Sequence, residues 1–343
     1  MRRLPVLFGA ALLLAMAGPG DLARAEDKPV QLKLSHWVPP KHPLHAAIEL
    51  WAESIKKDSN GSIGYAIFPA EQLGKAFDHY DMARDGIADF AYVSPGYQPG
   101  RFPVIAAGAL PFIFANAKAG SAAFDMWYRK YAAREMKDVH FCLAYVHDPA
   151  SFHARKKIVL PEDVRGLKVR PATATIGEFV TLLGGTNVQA SAPQARDMLE
   201  RGVADAITFP WGSLLLFGID KVVKFHMDAS LYVTPFVWVM NKAKYEALSD
   251  AQKKVIDDHC TTEWAEKFAA PWADFEEAGR EILKKMPGHE VYQLTPEQLA
   301  AWREAAEPLK AKWADEVRRA GYDDPDGIFA ELKADLEKNQ SAY

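Results

Sequence analysis

Two cysteines in 343 residues exclude a disulfide-rich scaffold and any Cys-based zinc ribbon. The sequence also lacks a dominant charge: 41 Lys+Arg stand against 45 Asp+Glu, a formal −4 at pH 7. Without a basic footprint, nucleic acid is not an expected partner. Internal repeats and low-complexity tracts are missing. So are the catalytic templates: there is no G-x-S-x-G elbow, H-E-x-x-H pair, Walker loop or G-x-G-x-x-G after a strand. No catalytic residue, cofactor or metal is therefore expected. What the chain does have is 49% hydrophobic and 11% aromatic residues with 25% charged ones, the composition of a packed globular protein. The length suits one large domain or two of ordinary size.

The N-terminus reads as an export signal. Arg2 and Arg3 precede an apolar run from Leu4 to Ala17, Gly18-Pro19-Gly20 breaks it, and Ala23-Arg24-Ala25 is an A-x-A cleavage signature. The run is too short for a permanent membrane span. Cleavage before Glu26 leaves 343 less 25, or 318, residues; it removes three Arg and one Asp, so the mature charge becomes −6. No later segment is apolar enough to cross a bilayer, and the mature protein is expected to be soluble in the periplasm. Export permits a Cys142–Cys260 disulfide, but their separation in sequence cannot place the two Cα atoms within reach. Cys142 lies in the apolar run Val139 to Val146, where a lone Cys behaves as a small hydrophobe. Two buried free thiols are expected.

Strands and helices alternate along the mature chain. Gln31 to Ser35 alternates with period two, and a helix to about Lys57 carries Leu44, Ile48, Trp51 and Ile55 on one face. Strands are expected at Ile63–Phe68, Phe90–Val93, Val139–Val146, Leu167–Arg170, Ala206–Phe209 and Phe236–Met240, with helices at Asp78–Asp85, Thr175–Leu183 and Pro193–Arg201. This order predicts α/β architecture with mostly parallel sheets. After Ser249 the chain turns helical and charged, with capping boxes at Ser249-x-x-Gln252 and Thr295-Pro296-x-Gln298.

Three tempting clusters read better as structure. His36, His42 and His45 match no standard metal-ligand spacing and are expected to be solvated or packing side chains. His259 and Cys260 are neighbours that would not face each other on a helix. Asp323-Asp324-Pro325-Asp326-Gly327 lacks a suitably placed bidentate Glu and reads as a turn.

The strand ends are more informative. In an open α/β sheet, ligands bind beyond the carboxyl ends of the strands. Arg170 closes a strand immediately before Pro171, presenting a planar fork suited to a carboxylate; an Arg there serves equally well to tie a loop to the sheet. Thr173 and Thr175 offer hydroxyls just beyond. Other strand ends carry Ser35-His36-Trp37, Tyr92 to Tyr97, and Phe209-Pro210-Trp211. Rings at equivalent positions suggest a cleft with aromatic walls, although each alone reads as core.

The segment from about Leu32 to Asp258 resembles the periplasmic solute-binding subunits of tripartite ATP-independent periplasmic (TRAP) transporters, the DctP-type proteins. The matching pieces are Gln72-Leu73-Gly74, Gly86-x-x-Asp89, Leu110-Pro111-Phe112, Asp163-Val164-x-Gly166-Leu167-Lys168-Val169-Arg170, Gly202-Val203-x-Asp205 and Val239-Met240-Asn241-Lys242. The resemblance implies a two-lobed periplasmic binding protein fold with hinge strands and a long bracing helix. Lobe I would comprise 26–147 and 235–274, and lobe II 148–234 and 275–343. It also implies that Arg170 receives a substrate carboxylate, and that the protein hands its ligand to a TRAP membrane permease without bond chemistry.

Two departures bear on the ligand. Where many members carry a second ligand-facing Arg, this chain reads Asp148-Pro149-Ala150-Ser151-Phe152, with Arg155 the nearest candidate. Phe209 stands where many members have Asn, with Trp211 close by, and Ala206 replaces the usual Gly. Fewer polar contacts and more rings point to an organic acid with an aromatic or otherwise apolar body. The expected contacts are Arg170 for the carboxylate, with Ser94, Thr173, Arg155 and Asn241 as lesser polar groups and Trp37, Tyr92, Phe209, Trp211 and Trp238 as walls. The protein is expected to act as a monomer. The rival readings are a C4-dicarboxylate or sugar-acid binder using Arg155, a ligand-sensing partner of a membrane receptor, and a secreted α/β enzyme without a recognisable motif.

Overall fold

The computed structural model describes residues 27–343; the export signal and its cleavage site lie outside the described residues. The chain begins by building one sheet from β1 (Val30–Ser35), β2 (Ile63–Phe68), β3 (Phe90–Val93) and β4 (Val139–Val146). It then crosses into a second sheet with β5 (Ser151–Ala154), β6 (Lys168–Arg170), β7 (Thr186–Asn187), β8 (Ala206–Phe209) and β9 (Phe225–Met227). It returns to the first sheet through β10 (Pro235–Asn241) and adds β11 (Glu290–Tyr292) to the second. The strand orders are β2-β1-β3-β10-β4 and β11-β9-β5-β8-β6-β7. This is the two-sheet α/β arrangement expected from the sequence.

The expectation of mostly parallel sheets holds by a narrow margin, since five of the nine strand pairings among the described residues are parallel and both sheets are mixed. β1 runs parallel to β2 and β3, β6 to β7 and β8, and β11 to β9. β10 is antiparallel to both β3 and β4, and β5 to both β8 and β9. β5 and β10 each follow directly from a strand of the other sheet without an intervening helix, whereas the parallel β11 is reached through the helices after β10. β10 is buried along its whole length, and its run Phe236-Val237-Trp238-Val239-Met240 reads as continuously apolar because both faces are covered.

A helix of 24 residues, Thr262–Lys285, braces the molecule. Thr261 caps it by accepting from the Trp264 amide, and its buried stripe includes Trp264, Phe268, Trp272, Glu276, Gly279 and Leu283. It packs on the helices Pro43–Asp58 and Lys118–Glu135 of the first sheet and on the short helix Trp211–Leu216 after β8. Two glycines make that last contact possible. A Cβ on Gly279 would fall 2.2 Å from the Gly212 Cα, and one on Gly212 would fall 2.3 Å from the Phe275 carbonyl oxygen. The C-terminal helix Pro325–Lys338 packs on Lys118–Glu135, and its N-cap is Asp324, which accepts from the Gly327 amide, so the acidic Asp323–Gly327 segment is a cap. Both capping boxes read from the sequence, at Ser249 and Thr295, are present.

The cysteines are not free. Cys142 on β4 and Cys260, which ends the helix Asp250–His259, form a disulfide with Cα atoms 4.4 Å apart. The fold returns residue 260 to β4, a proximity that linear spacing does not carry. The histidines near the first helix are packed: His36 Nε2 lies 2.9 Å from His45 Nδ1, and His42 caps the helix through Nδ1, which accepts from the Leu44 amide.

Candidate ligand-binding site

A cleft lies where the carboxyl ends of β1, β3, β6 and β8 converge. Trp37, Val38 and His42 enter it from the segment after β1, and Ser94 and Tyr97 from that after β3. Arg170 and Ala172 come from the end of β6, and Phe209, Pro210, Ser213 and Phe217 from β8 and beyond; Ala192 adds a wall. The crossing segments supply His147, Thr234 and Phe236, and the bracing helix supplies Trp272.

Arg170 is 1% exposed. Its Nε donates to the Ala190 carbonyl at 2.9 Å, Nη1 to the Thr208 carbonyl at 3.5 Å and Nη2 to the Tyr97 hydroxyl at 3.2 Å. All three acceptors are neutral oxygens. A guanidinium has five N–H donors, so one proton on each terminal nitrogen is left over, the fork that a carboxylate fits. Tyr97 extends this receptor. Its oxygen accepts from Arg170 and also from the Ala192 amide at 2.9 Å, which leaves its own proton to donate. Trp37 Nε1 and Ser94 Oγ are buried at the cleft without protein partners.

The rest of the lining is neutral. Burial holds His42 down to about 3 and His147 down to about 4. The amide of Leu44 donates to His42 Nδ1, so Nε2 carries the proton and faces Ser213 Oγ at 3.3 Å. His147 Nδ1 donates to the Asp148 carbonyl, and its Nε2 accepts from Thr234 Oγ1 at 2.9 Å and the Thr234 amide at 3.1 Å. Behind the lining, Glu276 accepts from the Gly212 and Ser213 amides, the Ser213 hydroxyl and Trp272 Nε1. Burial pushes this carboxyl up to about 7 against the pull of those donors. It ties the bracing helix to the floor of the cleft.

The walls are aromatic. Trp37 stacks on Tyr92 at 5.0 Å and lies 6.0 Å from Tyr97 and 6.4 Å from Phe236, which in turn meets Trp272 at 5.2 Å. Phe209 lies 5.6 Å from the Arg170 guanidinium carbon and 5.6 Å, edge to face, from Phe217. One cation set among rings and neutral polar groups can hold a small anion with an apolar body.

Of the residues expected at the site, the structure brings Arg170, Trp37, Ser94 and Phe209 together. It places the other six outside the lining. Tyr92 sits one layer behind Trp37. Thr173 caps the helix Ala174–Leu182 through the Ile176 amide. Trp211 is buried edge-on against His153 at 4.8 Å. Trp238 stacks on Phe90 at 5.4 Å within the sheet core. Asn241, at the far end of β10, caps Lys242–Glu246 and donates to the Ala83 and Arg84 carbonyls. Arg155 turns outward and donates to the Leu199 carbonyl. Sequence reasoning missed His147, Thr234, Ser213, Phe217, Phe236 and Trp272 and treated His42 as packing. Phe236 was hidden in an apolar strand, and Trp272 sits on a helix whose linear pattern signals only packing. His147 and Thr234 carried a usable signal, since both flank strands that end at the cleft.

The model of bacterial extracellular solute-binding protein, family 7 (DctP), matches residues 34–316. Among solved structures, a TRAP solute-binding protein from a marine metagenome, specific for aromatic acid ligands and holding 3-hydroxybenzoate, is 33% identical with a TM-score of 0.84; the match covers 91% of this chain and 99% of that one. A TRAP solute-binding protein from Rhodoferax ferrireducens with copurified benzoate is 28% identical with a TM-score of 0.85, covering 91% and 98%. The C4-dicarboxylate-binding periplasmic protein DctP of Rhodobacter capsulatus is 23% identical over 92% of this chain and 95% of its own length.

Proposed function

This chain belongs to family 7 of the bacterial extracellular solute-binding proteins, the DctP family of transport proteins rather than enzymes, and from that premise we propose that it captures an aromatic monocarboxylate for a TRAP permease. The observation that carries the reading is Arg170: a buried guanidinium with two N–H groups to spare and only neutral oxygens around it, set among Trp37, Phe209, Phe217, Phe236 and Trp272. The carboxylate lies on Arg170, with the Tyr97 hydroxyl, Ser94 and Trp37 Nε1 as further donors. The ring lies between the aromatic walls. Solved relatives holding benzoate and 3-hydroxybenzoate support this choice of ligand.

Of the lobes expected above, 26–147 with 235–274 and 148–234 with 275–343, the C-terminal helix Pro325–Lys338 moves with the first, on whose helix Lys118–Glu135 it packs, and the two close on the ligand around the crossing segments beside His147 and Thr234. The protein reaches the periplasm through cleavage before Glu26 and works there as a monomer. N-terminal sequencing of the secreted protein checks the cleavage: a first residue other than Glu26 contradicts it.

The family also includes a C4-dicarboxylate binder. A second carboxylate would need a second cation, and Arg170 is the only Lys or Arg lining this cleft among the described residues. Thermal-shift measurements with benzoate, 3-hydroxybenzoate, succinate and glucuronate separate the readings. Benzoate and 3-hydroxybenzoate raise the melting temperature through binding to the folded state, whereas a response confined to succinate or glucuronate overturns the aromatic assignment.

A further inference from the structure

Three histidines and a lysine form a row that ends on the cleft wall. Lys224 Nζ lies 3.0 Å from His289 Nε2, His289 Nδ1 lies 2.9 Å from His226 Nε2, and His226 Nδ1 lies 2.9 Å from His153 Nδ1. His153 Nε2 lies 2.9 Å from the carbonyl oxygen of Phe209. The two ends fix every proton between them. An ammonium can only donate, so His289 Nε2 accepts and Nδ1 carries the hydrogen. His226 then accepts at Nε2 and donates from Nδ1, and His153 accepts at Nδ1 and donates from Nε2. A carbonyl can only accept, so the inner end demands the same assignment independently. Each ring nitrogen is either a donor or filled by its neighbour's hydrogen, so an added proton on His153 or His226 would set two donors face to face. Burial agrees, holding His153 down to about 4 and His226 down to about 2.

We propose that His153 is a positioning residue for ligand binding: its Nε2–H, oriented by the row that Lys224 anchors, holds the Phe209 carbonyl and so fixes the Phe209 ring beside Arg170. The proposal rests on the cleft being the ligand site. His153 is not among the residues lining that cleft; it belongs to β5 and reaches the wall only from behind, through the Phe209 carbonyl, with Trp211 covering it. The row thus explains why buried polar residues stand behind an apolar wall. Phe209 ends β8 and precedes Pro210, so its carbonyl sits where the chain turns into the cleft floor. A slack turn there would let the ring leave the guanidinium, 5.6 Å away.

The test has one arm that needs no ligand and one that uses it. In the full mature chain at pH 8, nitrogen-15 spectra of the histidine rings show His153 protonated on Nε2 and both His226 and His289 on Nδ1. A His153 ring protonated on Nδ1 overturns the proposal. The Phe209 carbonyl carbon-13 shift moves in His153→Leu and returns towards the native value in His153→Gln, whose amide restores a donor. In calorimetric titration with benzoate, His153→Leu weakens binding about tenfold, the worth of one hydrogen bond, and His153→Gln recovers most of it. Equal benzoate affinity for wild type and His153→Leu also overturns the proposal. If the wild type binds none of benzoate, 3-hydroxybenzoate, succinate or glucuronate, the binding reading fails instead, and with it the ligand role of His153. The tautomers and the Phe209 carbonyl shift then judge the row by itself. Should His153→Leu fail to fold, the wild-type tautomers and His153→Gln still decide.

Discussion

A guanidinium buried without an acid beside it is under-compensated, and Arg170 meets only part of its need with the Ala190 and Thr208 carbonyls and Tyr97. A carboxylate supplies the rest, which is why the affinity should concentrate on this residue. Arg170→Ala abolishes the benzoate-induced thermal shift, and Arg170→Lys recovers little of it, because an ammonium cannot reproduce the two-pronged contact. Tyr97→Phe removes one donor to the ligand and one acceptor for the Ala192 amide. It weakens benzoate binding by about 1–3 kcal/mol in calorimetry, while an unchanged dissociation constant would show that the hydroxyl faces elsewhere. The strand end before Pro171 marked Arg170 as a candidate but suited a loop tie equally well, and only the resemblance to the DctP-type proteins pointed it to a carboxylate. Tyr92 and Trp238 were legible only as aromatic; alternation along β3 and β10 cannot say which buried face meets the cleft and which meets the sheet core. Thr173 and Asn241 show the complementary limit, since their polar atoms are spent on helix caps.

Among the elements, the bracing helix does more than link the two sheets. Glu276 accepts hydrogen bonds from the start of the helix Trp211–Leu216, and three residues later Gly279 lets the two backbones touch. Gly279→Ala gains helix propensity yet forces that contact apart. We expect a net loss of about 1–3 kcal/mol, read from urea unfolding, as for other overpacked contacts; a stabilised variant would contradict the close approach. The Cys142–Cys260 disulfide fastens the N-terminal end of the brace to β4. It closes a loop of 118 residues, so reduction should cost about 4–5 kcal/mol in the chain-entropy view. A melting curve in reductant measures this, and an unchanged midpoint argues for free thiols. Many strand and helix positions were readable from periodicity and caps, but the helix Lys118–Glu135, buried on several faces without one apolar stripe, was not, and neither were the short strands β5 and β7. The antiparallel entry of β5 and β10, the short strands β9 and β11 and the disulfide were not, because each depends on where a distant segment returns.

For the molecule as a whole, buried titratable groups set how stability varies with pH. His36, His42, His147, His153 and His226 are held between about 2 and about 4, below their ordinary 6.5. They bind fewer protons folded than unfolded, so their contribution is present above pH 6.5 and is lost as the pH falls. Glu135 and Glu276, raised to about 7, and Asp148, raised to about 6, work in the opposite direction. Between roughly pH 6 and 4.5 the more numerous histidines outweigh the carboxyls, so unfolding takes up protons and stability falls with falling pH. Urea midpoints should therefore fall on acidification, and a rise across that window would mean the carboxyls dominate. The same balance bears on ligand capture, since the cleft presents one fixed positive charge among neutral groups in a chain of net charge −4. The attraction is local rather than global. The most direct test of the account is calorimetric titration of the mature protein with benzoate at pH 8, in wild type and Arg170→Ala. Saturable one-to-one binding that disappears in the variant is the predicted result; benzoate binding that survives the loss of Arg170, or wild-type binding of succinate or glucuronate but not benzoate, would contradict it.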